Sequence, residues 1–178
     1  MNIYLVTEGK VESIVYRNWI PFVNPYLPEV GDFIKVHENN FYIVSGMGYP
    51  DYLSIIEDAI LDINNSGKFD RLVISVDSEN MTKQEKYDEI NAFVLHKPCV
   101  AEIRIVVQHF CFEAWALGNR RIVRPHPTSS RLREYKQLFD VRSRDPEFLP
   151  HKPDENLNRA QFAEKSLRLA LNPTLSSP

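Results

Sequence analysis

Short apolar runs alternate along this chain with stretches whose apolar positions recur every three or four residues. Asn2–Thr7, Phe41–Ser45, Leu72–Val76 and Ala101–Val107 are the short runs and read as strands. Leu72–Val76 is β-branched with little polar alternation, the pattern of a strand buried on both faces. Between these runs the period changes. Val11, Ile14, Val15 and Trp19 predict a helix from Lys10 to about Ile20, closed by Pro21, Pro25 and Pro28. After Pro50, a stripe of Leu53, Ile56, Ile60 and Ile63 predicts a second helix, with Gly67 as its C-terminal cap. Thr82, followed three residues later by Glu85, opens a third that runs to about Leu95, with Tyr87, Ile90 and Val94 facing inward and Pro98 beyond its end. His109–Leu117 turns into a fourth. Four strand-then-helix units predict an α/β fold: a mostly parallel four-stranded sheet with helices on both faces.

Beyond Gly118 the periodicity weakens and arginines and prolines take over. The expectation is an irregular basic arm, then a helix over Leu157–Leu171 with Ala160, Ala163, Leu167 and Leu171 on one face, and a frayed end at Thr174–Pro178. Residues 1–118 would form the α/β core, and 119–178 the arm and last helix of the same domain. The 178 residues suffice for one domain with a real core. Asn119–Arg144 holds eight cations against Glu134 and Asp140, a net +6 that leaves −9 for the rest of a chain whose net charge is −3. Such asymmetry fits an acidic pocket beside a surface for a polyanion; a solvated face of dispersed arginines is the other reading. No run approaches the ~20 apolar residues of a membrane span. Met1–Tyr4 enters a strand without a basic leader, and Cys99 and Cys111 lie in apolar surroundings, so a cytoplasmic protein with two free thiols and no membrane association is expected.

The chemistry-bearing residues sit at strand ends. The central run stops at Asp77, with Ser78 and Glu79 after it; the first stops at Glu8-Gly9; the fourth leads toward Glu113. Parallel strands put their carboxyl ends on one edge, where ligands of open α/β sheets collect. Carboxylates gathered there cost stability unless a proton or cation compensates them, and a hard divalent ion takes oxygen ligands. Each acid also has a plainer reading. Asp77 could open a turn, Glu8 could favour a helix N-terminus, and Glu113 could pair with a downstream arginine. Phe112 and Trp115 read as core before base-stacking platforms, and Ser78 as a turn residue with no base beside it. His109 stands at the same edge as a further candidate base or ligand.

A Glu-Gly after the first strand, then two acids one residue apart after the third, resembles the TOPRIM fold of type IA and II topoisomerases, bacterial primases and OLD-type nucleases. Phe112-Glu113-Ala114-Trp115-Ala116-Leu117 is similar to the Phe-Glu-x-Trp-x-Leu segment of small RloB-like bacterial proteins, several of which accompany mobile-element or antiviral defence loci. The resemblance covers roughly Asn2–Gly118. It implies Mg²⁺ (or Mn²⁺) held by Asp77 and Glu79, Glu8 as acid/base or ligand, Glu113 as a further ligand, and endonucleolytic hydrolysis of nucleic-acid phosphodiesters. Glu79 stands where the family usually has Asp. Lys10, Arg120, Arg121, Arg124, Arg131 and Arg133 would hold DNA or RNA phosphates. A partner ATPase and a homodimer stay open. So does a second class of function, a catalytically silent TOPRIM-like module that binds nucleic acid or a protein.

Overall fold

Strands β1 (Ile3–Thr7), β2 (Phe41–Ser45), β3 (Arg71–Asp77) and β4 (Glu102–Gln108) form one parallel sheet in the order β2-β1-β3-β4. The computed structural model describes residues 1–48, 50–119 and 121–172. β1 lies between β2 and β3, with Ile3 opposite Phe41 and Arg71, and Thr7 opposite Ser45 and Ser75. The connections are helical: α1 (Lys10–Val23), α2 (Tyr52–Ser66) and α3 (Lys83–Val94). Arg120 and Thr174–Pro178 lie outside the described residues. Among the described residues, no helix is long and apolar enough to cross a membrane.

The chain divides into two compact units. The first comprises Met1–Val76 and Gln84–Val107. Its strands alternate between two apolar layers. Leu5, Phe41 and Ile43 pack with Tyr16 and Ile20 of α1 on one face. Tyr4, Val6, Leu72, Ile74 and Val76 pack on the other with Ile56, Ile60 and Ile63 of α2 and Ile90 and Val94 of α3. Strand β3 is covered on both faces, which is why it shows an unbroken apolar run, whereas edge strand β4 leaves Glu102, Arg104 and Val106 exposed. Gly67 ends α2 in the left-handed conformation, φ +61, its N–H on the Ile63 carbonyl.

The second unit comprises Asp77–Lys83 and the chain from Gln108 onward. Helices α4 (Phe112–Leu117), α5 (Ser130–Leu138) and α6 (Arg159–Leu171) enclose a core of their own, around Phe110, Leu117, Leu132, Tyr135, Leu149 and Phe162. Ser129 caps α5 by accepting from Leu132 N–H, and Asn158 with Gln161 forms a capping box on α6. The Lys152 ammonium is buried beneath this unit's surface. It donates to Glu134 at 2.8 Å and Asp154 at 2.6 Å.

Several expectations are corrected here. Helix α1 continues through Pro21 to Val23, and Val11 and Ile14 are exposed at 57% each. Its apolar residues do not all share the packed side, so their spacing alone did not select the face. The sheet takes the side of Glu12, Tyr16 and Ile20, where the Tyr16 hydroxyl meets Ser75 Oγ at 3.2 Å. Tyr87 of α3 is exposed; α6 buries Phe162, Ala163, Ser166 and Leu169, and of its expected face Ala160 and Leu167 pack partly buried on the same core while Leu171 is exposed. The segment read as an irregular arm contains α5 and much of the second core. Residues 108–118, expected in the α/β core, pack with that later chain.

Candidate functional site

At the end of β1, in the first unit, Glu8 is nearly buried, and its backbone anchors the turn after β2. Gly46 N–H donates to the Thr7 carbonyl at 2.7 Å and Gly48 N–H to the Glu8 carbonyl at 3.2 Å. Gly46 must be small: a Cβ there would lie 2.5 Å from Tyr52 Cβ and 2.8 Å from the Glu8 oxygen. One turn into α1, Glu12 is equally buried and folds back over Gly9, where an added Cβ would stand 2.6 Å from Glu12 Oε2. Beside them Lys86 Nζ donates to Glu89 at 2.9 Å and lies 3.4 Å from the Tyr52 hydroxyl. Burial pushes the Tyr52 phenol up to about 12; Glu89 and Glu8 add to the push and Lys86 opposes it. For Lys86, burial works against the charge, but the Glu89 hydrogen bond and Tyr52 outweigh it and hold the ammonium above its ordinary value.

The second unit holds the end of β3. Asp77, half-buried, accepts from Phe112 N–H through Oδ2 at 3.2 Å. Glu113, in the first turn of α4, and Asp77 both act on the buried Cys111 thiol. Burial is the main cause that pushes that thiol far up, and the two carboxylates add to it. Asp77 and Glu113 thus both lie within electrostatic reach of this thiol. Glu79 does not join them in this way: it is exposed, with φ +49, and its N–H donates to the Phe110 carbonyl at 2.7 Å.

Ser78 is fully buried and has a base beside it after all, since its Oγ lies 2.6 Å from His109 Nδ1. A hydroxyl with no exposed surface is poorly placed to attack a substrate, so the pair orients the imidazole. His109 is held below its ordinary pKa by burial first, then by Arg159 and Lys83, with Glu147 opposing. Trp115, expected in the core, is 46% exposed, while Phe112 is buried and its ring lies 5.6 Å from the indole.

No family model matches the sequence, and no solved structure matches it. Among curated proteins the chain is similar to the mRNA-capping enzyme subunit alpha of Candida glabrata, 26% identical over 130 residues. The match takes in 70% of this chain and 24% of that protein, so the chain spans about a quarter of its relative's length. A likeness of that extent assigns no family.

Among the described residues, no three His, Cys, Asp or Glu side chains are gathered so that they could hold a metal ion. There is thus no closed protein cage. Mg²⁺ in phosphoryl-transfer sites needs less: one or two carboxylates, with waters and substrate phosphates filling the octahedron. The hard carboxylate oxygens of Asp77 and Glu113 suit that mode, and Glu8 offers the same donor type in the first unit. Of the expected phosphate contacts, Lys10, Arg121 and Arg124 are exposed. Arg131 is held by Glu155 at 2.6 Å and by the Tyr135 hydroxyl at 3.2 Å, and Arg133 reaches the Pro127 carbonyl. Sequence reasoning missed Glu12, Tyr52 and Lys86. The one available signal was Glu12, one helical turn after Glu8.

Proposed function

We propose that this chain carries out divalent-metal-dependent chemistry on nucleic-acid phosphodiesters, in the manner of TOPRIM nucleases. The observation that carries the reading is Asp77: a carboxylate closing the buried strand β3 and oriented by the N–H of Phe112, the residue before Glu113 in the first turn of α4. Bound there, Mg²⁺ or Mn²⁺ would polarise the phosphodiester and offset charge on its oxygens. The chain's residues do the rest. Asp77 and Glu113 present hard oxygen donors, and Glu79, on an exposed turn, reaches toward solvent-borne ligands. Glu8, nearly buried at the end of β1, is suited to hold or accept a proton. Arg121 and Arg124 are exposed cations for neighbouring phosphates, and Trp115 offers an exposed ring on which a base can stack.

A second reading, a catalytically silent module that binds nucleic acid or a protein, is favoured by one observation: among the described residues no three donors are gathered. Asp77→Asn separates the two. The amide still accepts the Phe112 N–H but gives up the anionic oxygen. An ion that binds only the native state raises its melting point, by an amount set by RT ln(1 + [L]/Kd). The wild type gains stability with Mg²⁺ and cleaves a panel of DNA, RNA and tRNA; the variant gains little, cleaves nothing and is at least as stable without metal. Equal responses to Mg²⁺, or a variant clearly weaker in the apo state, would make Asp77 a structural hydrogen-bonding residue. Metal binding without cleavage of any substrate would favour the silent module.

A further inference from the structure

Helix α1 leaves an apolar face on the surface of the first unit, and the metal-dependent reading makes no use of it. On its inner side Glu12 and Ser13 are buried, and Tyr16 and Ile20 pack on the sheet. The opposite side carries Val11, Val15, Asn18 and Phe22, at successive steps of four, three and four. That spacing draws one seam along a helix, the same by which helices pair in coiled coils. Val11 is 57% exposed and Phe22 85%. Ile14 and Trp19 flank the seam, and Tyr26, just past the helix end, is as exposed as Phe22. With about 150–250 Å² for a whole aromatic side chain and less for an aliphatic one, these groups present roughly 600 Å² of apolar surface. That is the upper end of the largest patch a typical monomer exposes, and such patches mark interaction sites.

We propose that this face pairs with a second copy of the chain, the two α1 helices lying antiparallel along Val11, Val15, Asn18 and Phe22. Charge, shape and area select that occupant. From Val11 to Tyr26 the only charged residues are Glu12, which is buried, and Arg17, whose Nε donates to Glu29 at 2.8 Å. A helix that rests in a lipid interface carries a border rich in lysine and arginine, which this one lacks. Asn18, the polar member of the seam, donates its amide to the Ile14 carbonyl of its own helix at 2.7 Å and can be covered at little cost. The seam also tapers, from valine at its start to phenylalanine at its end. An antiparallel copy, turned about an axis between Val15 and Asn18, sets Val11 of each chain against Phe22 of the other and Ile14 against Trp19. Large then meets small at both ends, as close packing requires, and the helix dipoles oppose. A parallel copy would set Phe22 on Phe22 and leave a gap at Val11. Covering the patch on both copies removes about 1,200 Å² before any polar rim is added, the lower bound for a stable interface. The proposal goes beyond the metal-dependent reading, because it requires neither an ion nor Glu8, Asp77, Glu79 or Glu113.

The test is sedimentation velocity of the full chain, in EDTA and over a wide concentration range, for wild type, Val11→Glu and Phe22→Lys. Both positions are exposed, and each substitution suits the helix dipole, an acid near the N-terminus and a base near the C-terminus. Each variant monomer should therefore keep its fold by circular dichroism. Wild type should dimerise reversibly, with a melting temperature that rises with protein concentration. Each variant should weaken the dimer by at least roughly thirtyfold, the factor for one lost hot-spot side chain. Mixing the two variants tests the direction of pairing. An antiparallel mixed pair keeps one Val11–Phe22 contact and sets the introduced acid against the introduced base. Dimer should thus reappear at a concentration where each variant alone is monomeric. A wild type that is monomeric at every concentration overturns the proposal, and binding of that monomer to vesicles of anionic phospholipid would assign the face to a lipid surface. A dimer that neither variant weakens, or a mixture no more dimeric than its parts, overturns it as well. The wild-type series decides even if a variant folds poorly, and since it uses no metal, its failure is separate from failure of the Asp77 experiment.

Discussion

Gly46 and Gly48 flank the turn that hangs on Glu8, and they are glycine for different reasons. At Gly46 the constraint is space. A Cβ would stand 2.5 Å from Tyr52 Cβ, 2.8 Å from the Glu8 carbonyl oxygen and 3.1 Å from Tyr52 Cα. Ordinary carbon contacts are about 3.5–4.0 Å, so roughly 1 Å of movement is needed. None of the obstructing atoms is the mobile tip of a side chain. Overpacking of this kind costs about 1–3 kcal/mol. At Gly48 the constraint is the backbone: φ is +87 and nothing lies within 4 Å of an added Cβ. Alanine there should cost about 1 kcal/mol, the left-handed penalty less the gain from a stiffer unfolded chain. Asparagine tolerates the left-handed region better than alanine but is larger. Urea titration at constant m-value reads each cost. Asn should therefore be worse than Ala at position 46 and better than Ala at position 48. If Gly46→Ala stays within about 0.5 kcal/mol of wild type, or Asn outperforms Ala there, the turn gives way freely and the crowding argument fails.

Three further outcomes are expected. Phe162→Ala, which empties a fully buried site whose ring stacks edge-on against Tyr135 at 4.9 Å, should cost about 3–5 kcal/mol in urea unfolding; a destabilisation below about 1 kcal/mol would mean that the second core collapses into the gap. Glu155 and Asp154 should make that unit acid-sensitive. Burial alone would raise Glu155, but hydrogen bonds from Arg131 and Tyr135 outweigh it, while Lys152 lowers Asp154. Both native values lie below the unfolded ones, so their contribution is complete above the unfolded carboxylate range of about 4 and disappears as pH falls through the native values. Glu155→Gln should flatten that part of the stability–pH curve, and an unchanged curve would refute the assignment. Arg124→Ala should reduce the salt dependence of nucleic-acid binding, by about 0.9 in the log–log slope for each duplex phosphate that is no longer neutralised. Arg131→Ala, removing a cation already held by Glu155, should lower stability and leave the slope alone; the reverse pattern would place the phosphate-binding cation at Arg131.

Strands were the most legible part of this chain. A strand packed in a parallel sheet is written largely as an apolar run, and all four lie within about one residue of the runs that begin at Asn2, Phe41, Leu72 and Ala101. Helix α2 was equally plain, because Ile56, Ile60 and Ile63 form one stripe that ends at a glycine. Helix α1 was less so. Its apolar residues do not all face the sheet, and the side that packs carries Glu12 and Tyr16 beside Ile20, polar groups that a hydrophobicity pattern ranks last. The second core was hidden for another reason. Phe110, Leu132, Tyr135, Leu149 and Phe162 are scattered over segments too short and too proline-rich for any period to emerge, and only tertiary contact unites them. At the candidate site, acids at strand ends could be picked out by type and position. The Lys86–Tyr52 contact and the Ser78–His109 hydrogen bond join residues more than thirty positions apart, and no local spacing announces either.

The second unit is assembled from two separated stretches, Asp77–Lys83 and the chain from Gln108 onward, with Gln84–Val107 of the first unit threaded between them. On the ribosome this interleaving imposes an order. The first unit has its full complement of residues once Val107 has emerged. Asp77–Lys83, already synthesised, must wait for Phe110, Leu132 and Phe162 before its own surroundings exist. The turn bearing Asp77 and Ser78 is therefore among the early parts of the chain to be made and among the last to be enclosed. A fragment ending at Gly118, where the composition changes, would retain Phe110, Ala114 and Leu117 without the residues that bury them. It should aggregate through that apolar surface rather than behave as a trimmed core.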